Sequence, residues 1–414
     1  MANDEQKGKP AAAASEGPDF SLDLDSTELD TRLVHGGTLR SQFGETSEAL
    51  FLTQGFVYKS AEQAEARFKN EDPGFQYSRF GNPTVAMFEE RMALLEGAEA
   101  ARATASGMAA VFASIACLVK AGERVVASDA LFGSCNYIVQ EILPKWGIET
   151  EFVDGRDLSQ WRKALGKPTK VVLLETPANP SLRIVDLKAV CDLGHAAGAQ
   201  VIVDNVFATP LLQRPLEFGA DIVVYSATKH IDGQGRCLGG VILGRAKYIN
   251  ETLQPFIRHT GPSLSPVNAW ILLKGLETLD LRLQRQCDAA EKIAKELQGH
   301  PKLNHAYYPT LANFPQAELA KKQMKSGGSM VAIDLKGGRD ASFRFLNALR
   351  LILISNNLGD SKSLATHPAT TTHQRLTPEQ KEAQGITQGL VRLSIGLEDV
   401  KDLLADVRQA LDAA

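Results

Sequence analysis

Hydrophobic positions along the middle of this chain follow two alternating patterns. From about Phe75 to Gly244, short runs rich in β-branched residues alternate with stretches in which apolar residues recur at helical spacing. Strands separated by helices predict a mostly parallel sheet covered on both faces, and therefore an α/β fold. The predicted strands are Arg124 to Ser128, Val171 to Glu175, Val201 to Asp204, Ile222 to Tyr225 and Gly240 to Leu243.

Beyond about residue 265 the pattern becomes mainly helical and predicts a second, smaller α/β domain. Leu272, Leu276 and Leu279 lie three or four positions apart, as on one face of a helix. The other predicted elements of this part are two strands, 329–335 and 390–395, and a closing helix from about residue 399.

Composition and charge exclude several classes of protein. Residues 1–30 have few large apolar side chains and predict a flexible leader. A net charge of −4 offers no general attraction to nucleic acid or to anionic membranes. The chain shows no run of the roughly 18 apolar residues that a membrane helix needs and no secretion signal, so we expect a cytoplasmic protein. The five cysteines are widely spaced, which predicts reduced thiols and no metal site.

Polar residues follow the predicted strands where a parallel sheet binds its ligands, at the carboxyl ends. Asp204 ends one buried strand, and Lys229 follows another in Ser226-Ala-Thr228-Lys229. Burial can lower the pKa of a lysine and make it a nucleophile toward an aldehyde, and the two hydroxyls can bind a phosphate beside it. Taken alone, Asp204 is more often a structural anchor and Lys229 a solvated surface charge.

A third signal is Ser106-Gly107-Met108, which opens a predicted helix. The free N–H groups and the dipole of a helix N-terminus can hold an anion, although the same residues also suit a simple N-cap. Three such signals in this order carry more weight than any one of them.

These residues, together with further motifs, resemble the cystathionine γ-synthase family of pyridoxal 5'-phosphate (PLP) enzymes. The resemblance runs from about Thr31 to the C-terminus. It implies a fold-type-I, aspartate-aminotransferase-like structure with an N-terminal arm at 31–70 that contacts a neighbouring subunit, a PLP-binding domain at 71–262 and a C-terminal domain at 263–414. The motifs are Tyr77-Ser-Arg79-Phe-Gly-Asn-Pro-Thr84, Ser106-Gly-Met108, Glu175-Thr-Pro-Ala-Asn179-Pro180, Asp204, Ser226-Ala-Thr-Lys229, Leu358-Gly-Asp, His367-Pro-Ala and Val391-Arg392-Leu-Ser-Ile-Gly.

The resemblance also implies how PLP is held. Lys229 forms a Schiff base with it, and Asp204 pairs with the pyridine nitrogen, which makes the ring an electron sink. Asn179 approaches the ring hydroxyl, although Asn-Pro is also an ordinary turn signal. Phe132 stacks on the ring. The other implied cofactor ligands, mainly at the phosphate, are Ser106, Gly107, Met108, Ser226 and Thr228, with Tyr77 and Arg79 reaching in from a neighbouring subunit.

Some residues depart from the family pattern and narrow the activity. Phe132 stands where many relatives have tyrosine and cannot act as an acid or base, which leaves Lys229 as the main proton shuttle. Ser134 stands where methionine γ-lyases carry a reactive cysteine, and this argues against lyase activity. Arg392 is the implied clamp for the substrate α-carboxylate; without the resemblance, a cross-strand ion pair would be the simpler interpretation. His367 and His373 are assigned no catalytic role.

Segment 230–240 and the residues around Asn357 and Lys362 resemble the branch of the family that transfers sulfide to O-succinylhomoserine. We therefore expect a transferase of methionine biosynthesis that makes L-homocysteine and succinate, with substrate contacts at Arg392, Asn357, Lys362 and Arg236. Either of the last two could equally be a solvated charge or part of a structural ion pair. Alternatives are cysteine as the acceptor, an acetyl ester, a C–S lyase, and a catalytically silent PLP-binding protein. The resemblance also implies a homotetramer built of dimers that share active sites.

Overall fold

The computed structural model describes residues 23–414. Most of the predicted leader therefore lies outside the described residues. Within the remainder of that leader, a 3-10 helix spans Leu24–Ser26 and the first α-helix begins at Leu29. None of the described helices combines the length and the apolar character that crossing a membrane requires.

Seven strands form the larger of two sheets. They are β1 Ala100–Thr104, β2 Arg124–Ser128, β3 Glu149–Val153, β4 Val171–Glu175, β5 Gln200–Asp204, β6 Ile222–Ser226 and β7 Gly240–Gly244. Their order is β1-β7-β6-β5-β4-β2-β3, and β7 alone runs in the direction opposite to the other six strands. The predicted mostly parallel sheet is thus confirmed, and each predicted strand lies within one residue of an observed one.

The hydrophobic pattern did not reveal β1 and β3, the two edge strands of this sheet. An edge strand has a neighbour on one side only, and side chains of β3 remain partly exposed whereas those of β2 and β4 are all buried. Its sequence, Glu-Thr-Glu-Phe-Val, consequently lacks the continuous apolar run that marks a central parallel strand.

Helices cover both faces of the large sheet. The α-helices are α1 Leu29–His35, α2 Ala61–Phe68, α3 Pro83–Glu96, α4 Gly107–Ala116, α5 Gly133–Tyr137, α6 Leu158–Ala164, α7 Leu187–Ala196, α8 Thr209–Leu212, α9 Gln254–Thr260, α10 Pro266–Leu276, α11 Leu279–Leu297, α12 Ala317–Gln323, α13 Gly338–Ala348, α14 Pro378–Ala383 and α15 Val400–Ala413. Val126 of β2 packs in a core with α3, α7 and α10, whereas its neighbours Val125 and Ala127 pack with α4 and α5. This alternation follows from the opposite directions of successive side chains on a strand.

Five strands form the smaller, C-terminal sheet. They are β8 Leu303–Tyr307, β9 Met330–Leu335, β10 Leu353–Ile354, β11 Leu364–Thr366 and β12 Leu390–Ser394. Their order is β10-β11-β12-β9-β8, and α11, α13 and α15 supply the apolar residues that pack with it. The predicted strands at 329–335 and 390–395 and the closing helix are confirmed. The exact domain limits, 71–262 and 263–414, stay predictions.

Candidate active site

A cavity of about 430 Å³ lies at the carboxyl ends of the central parallel strands. Residues that directly follow β4, β5 and β6 line it, as expected for an open α/β sheet. The structure thereby brings ten of the predicted site residues to one place: Ser106, Gly107, Met108, Phe132, Asn179, Asp204, Ser226, Thr228, Lys229 and Asn357.

The N-terminus of α4 and the end of β6 meet on one side of this cavity. Ser106 caps α4, since its Oγ accepts the N–H of Ala109 at 3.2 Å. A Cβ on Gly107 would lie 2.5 Å from Cβ and 2.7 Å from Oγ of Ser226, so glycine alone permits this close approach. The first N–H groups of a helix have no partner within it, and beside a serine hydroxyl they form a suitable cradle for a phosphate.

Lys229 lies in the cavity wall rather than on the open surface. Its Nζ donates a hydrogen bond to Oδ1 of Asn357 at 2.5 Å. Burial, and secondarily the positive charge of Arg392, lower the pKa of Lys229 to about 8. A larger fraction of the amine is therefore neutral at physiological pH than for an ordinary lysine, and the neutral form is the nucleophile.

Asp204 ends β5 with its side chain almost fully buried, at 9% exposed. Its Oδ1 accepts the N–H of Val206 at 3.1 Å. Burial raises the pKa of Asp204, because little around the carboxylate compensates for lost hydration. A cation placed against it, such as a protonated pyridine, would restore the charged form.

Glu175 also lines the cavity, although no role was predicted for it. It lies beside Asp204 in the register of β4 and β5 and is 4% exposed. Burial, together with the negative charge of Asp204, raises the pKa of Glu175. The signal that could have revealed it is the one that revealed Asp204, namely a carboxylate at the end of a wholly apolar strand.

Arg392 lies on β12 and is 1% exposed. The residues opposite it on the neighbouring strands are Thr366 and Ala332, so the alternative of a cross-strand ion pair does not occur. Burial lowers the pKa of Arg392 to about 10, and the charge of Glu175 partly opposes that change.

Neutral oxygens hold the guanidinium of Arg392. Nη1 donates to Oδ1 of Asn179 at 2.8 Å, and Nη2 donates to the backbone carbonyls of Asn357 at 2.9 Å and Asn356 at 3.1 Å. Its Nε is buried without a partner within residues 23–414. An arginine oriented in this way is suited to receive a carboxylate.

Besides Arg392, whose partners Asn179 and Asn357 line the cavity, four predicted residues do not line it. Tyr77 is partly exposed, and Arg79 donates a hydrogen bond to the backbone carbonyl of Arg258. Arg236 pairs with Asp232 at 2.8 Å. The fourth, Lys362, is half-exposed and pairs with Asp360 at 2.7 Å. Both residues therefore form structural ion pairs, which was one of the alternatives for them. Contact of Arg236 or Lys362 with substrate stays a prediction.

Known proteins are similar to this chain in sequence and in fold. Residues 30–412 match the family model described as Cys/Met metabolism PLP-dependent enzyme. The chain is 56% identical over 382 residues to an O-succinylhomoserine sulfhydrylase of Mycobacterium tuberculosis, covering 91% of this chain and 94% of that protein. It is 46% identical over 391 residues to an O-succinylhomoserine sulfhydrylase of Pseudomonas aeruginosa, covering 94% and 97%.

A solved structure extends the likeness to three dimensions. The crystal structure of a putative O-acetylhomoserine (thiol)-lyase from Campylobacter jejuni matches with a TM-score of 0.90 and 32% identity, over 93% of this chain and 100% of that chain. That structure contains N'-pyridoxyl-lysine-5'-monophosphate. The family match covers nearly all of the described residues, and the cavity carries the groups that PLP needs. The chain therefore belongs to the Cys/Met metabolism PLP-dependent enzymes.

Proposed function

We propose that this enzyme replaces the γ-substituent of an activated homoserine, converting O-succinyl-L-homoserine and sulfide to L-homocysteine and succinate. The observation that carries the proposal is that Lys229 and Asp204 line one cavity, while Arg392 is hydrogen-bonded to Asn179 and Asn357 of the same cavity wall. The choice of ester and acceptor is supported by the two sulfhydrylases that the chain resembles at 56% and 46% identity.

The residues of the cavity fit PLP. The start of α4 and the hydroxyl of Ser226 would bind its phosphate, the amine of Lys229 would hold its aldehyde carbon, and Asp204 would bind its ring nitrogen. Phe132 would lie along the ring. When bound, PLP supplies an electron sink that stabilises negative charge at substrate carbons.

Lys229 is the group in this cavity that we assign to proton transfer at Cα of the substrate. Its lowered pKa makes the amine an adequate base near neutral pH, and Oδ1 of Asn357 orients it. Phe132, the aromatic residue of the cavity wall, has no ionisable group, so a phenyl ring cannot share this work.

Arg392 would bind the α-carboxylate and fix the substrate's orientation. Its guanidinium is buried and is held by Asn179 and by two backbone carbonyls, so little orientational freedom is lost when a carboxylate binds. Orienting a substrate in this way increases the reaction rate, because the bound substrate no longer samples unproductive orientations.

We also propose that the enzyme is a tetramer built of dimers whose active sites use residues of two chains. Large apolar side chains of the predicted arm, 31–70, are open to water in a single chain: Phe43 is 85% exposed, Leu52 71% and Val57 98%. Large apolar side chains that a single chain leaves exposed are often covered at subunit interfaces. Tyr77 and Arg79, which follow the arm, would then reach the phosphate of a neighbouring subunit.

Product analysis tests the proposed reaction. Purified enzyme loaded with PLP is incubated with O-succinyl- or O-acetylhomoserine and with sulfide or cysteine, in all four combinations. We expect homocysteine and succinate to form fastest. Cystathionine as the main product would favour the cysteine-using alternative, a preference for the acetyl ester would overturn the choice of ester, and 2-oxobutanoate without added thiol would indicate a lyase. Absence of any turnover would favour a silent PLP-binding protein.

A further inference from the structure

Glu175 is bonded on both sides by backbone groups of the cavity wall. Its Oε2 accepts the N–H of Phe132 at 2.7 Å, and its Oε1 accepts the N–H of Asn179 at 2.8 Å. Phe132 lies directly before α5, whereas Asn179 belongs to the segment that follows β4. One buried carboxylate therefore joins two separate loops.

The two loops hold different parts of the site. The Phe132 loop carries the side chain assigned to the cofactor ring. Asn179, in contrast, accepts a hydrogen bond from Nη1 of Arg392 at 2.8 Å. Two successive hydrogen bonds thus connect Glu175 to the guanidinium, and a shift of Asn179 would reach the guanidinium directly.

We propose that Glu175 is a positioning residue that couples the cofactor side of the cavity to the carboxylate clamp, by holding the backbones of Phe132 and Asn179 at a fixed separation. The inference rests on the roles proposed above for Phe132 and Arg392.

Glutamine and aspartate cannot replace this carboxylate. Both backbone partners are N–H donors, and glutamine offers one acceptor oxygen and one NH₂ group, so one N–H would face another donor. Aspartate keeps both oxygens but is shorter by one methylene. A buried N–H that loses its acceptor is costly, which makes movement of one loop the expected response.

The test uses Glu175→Gln and Glu175→Asp enzyme loaded with PLP, and it does not depend on sulfide turnover. Binding of L-norleucine, which has an α-carboxylate, and of n-pentylamine, which lacks it, is followed by the visible absorption band of the cofactor. In both variants we expect norleucine to bind on the order of tenfold more weakly, the loss expected for a charge-assisted hydrogen bond. Pentylamine should change much less, and the absorption band of the unliganded enzyme should shift because Phe132 has moved.

A matched control separates positioning from general stabilisation. Asp406 on α15 is also buried, at 6% exposed, and accepts the backbone N–H groups of Arg350, Leu351 and Ile352 at 2.8 to 2.9 Å, but it does not line the cavity. Asp406→Asn should lower the thermal midpoint while leaving the absorption band and both affinities unchanged.

Two results would overturn the inference. The first is Glu175 variants that lose thermal stability as Asp406→Asn does but keep the absorption band and the norleucine affinity of the unmodified enzyme. The second is an equal loss for norleucine and pentylamine, which would remove the link to the clamp. If the unmodified enzyme made no homocysteine while the norleucine result held, the proposed reaction would fail and the role of Glu175 would stand.

Discussion

Nζ of Lys229 and Oδ1 of Asn357 are 2.5 Å apart, although the two residues belong to segments that follow different sheets of the protein. Lys229 follows β6 of the large sheet, and Asn357 lies between β10 and β11 of the small one. The position of the amine therefore depends on how the two sheets pack against each other. The backbone carbonyl of Asn357 also accepts a hydrogen bond from Arg392, so one short segment contacts both groups.

Replacing Lys229 with alanine should abolish turnover, because the change removes both the group that holds the cofactor and the proton shuttle. Product formation from O-succinylhomoserine and sulfide is the measurement. Lys188→Ala is a suitable control, since Lys188 is exposed and pairs with Asp192 on the surface. Substantial turnover by Lys229→Ala would contradict the assignment.

The rate of covalent PLP attachment to the cofactor-free protein should depend on pH through Lys229. Burial lowers the pKa of this amine from 10.5 to about 8, and only the neutral amine reacts. The attachment rate should therefore rise by roughly tenfold per pH unit below pH 8 and level off above it. Stopped-flow absorbance would follow the reaction, with Lys229→Ala as the blank for changes in PLP itself. A rate still rising toward pH 10 would indicate an ordinary, solvated lysine.

Asp204→Asn should retain the fold and bind PLP but lose activity. Asparagine removes the charge that keeps the ring nitrogen protonated, and the loss of such a charged hydrogen bond costs about 1.5 to 3 kcal/mol, or roughly ten- to a hundredfold in kcat/KM. Circular dichroism and PLP content check the fold and the loading. Turnover close to that of the unmodified enzyme, with PLP bound, would refute this role.

Mixing two inactive variants tests whether active sites are shared between subunits. If Arg79 serves the site of a neighbouring chain, hybrids of Arg79→Ala and Lys229→Ala should regain part of the activity, since one interface then pairs an intact arginine with an intact lysine. Differently tagged subunits would demonstrate exchange. Exchange without recovered activity would place both residues in one chain's site.

A succinyl ester carries a second carboxylate that an acetyl ester lacks, so Lys362→Met should narrow the preference for O-succinylhomoserine. If Lys362 contacts succinate in a partly desolvated site, the expected loss in kcat/KM on the succinyl ester is about ten- to a hundredfold, with little change on the acetyl ester. The ammonium of Lys362 would then have to bind the succinate carboxylate in addition to its present partner, Asp360. Equal losses on both esters would show that the residue supports the fold or the cofactor.

Arg236→Met follows the same reasoning but is a less direct test. The side chain of Asp232, its ion-pair partner, is 0% exposed, and removing the arginine takes away the one ion pair of that buried carboxylate within residues 23–414, although Arg282 still acts on it at longer range. A lower thermal midpoint is therefore expected along with any change in ester preference. The ratio of kcat/KM on the succinyl ester to kcat/KM on the acetyl ester should be compared only for preparations with equal PLP content. If this ratio is unchanged in both Lys362→Met and Arg236→Met, the assignment of the succinyl ester rests on similarity to relatives.

Several features of the fold and the site could be predicted from the sequence because they depend on local pattern. Continuous apolar runs mark strands buried on both faces, which is why β2, β4 and β7 were found with small errors, whereas the edge strand β3 lacked that pattern. Asp204 and Lys229 could be singled out because residues that directly follow parallel strands must lie at one edge of the sheet.

Tertiary structure alone decided which of these side chains touch. Arg392 could have formed an ion pair on its own sheet, but the packing of the two sheets brings Asn179 to Nη1 and the carbonyl of Asn357 to Nη2. The local pattern of apolar residues indicates which residues are buried and where strands end. Contacts of Arg392 with Asn179 and Asn357 depend instead on how distant segments pack, and a hydrophobic period of two or 3.6 residues carries no information about that packing.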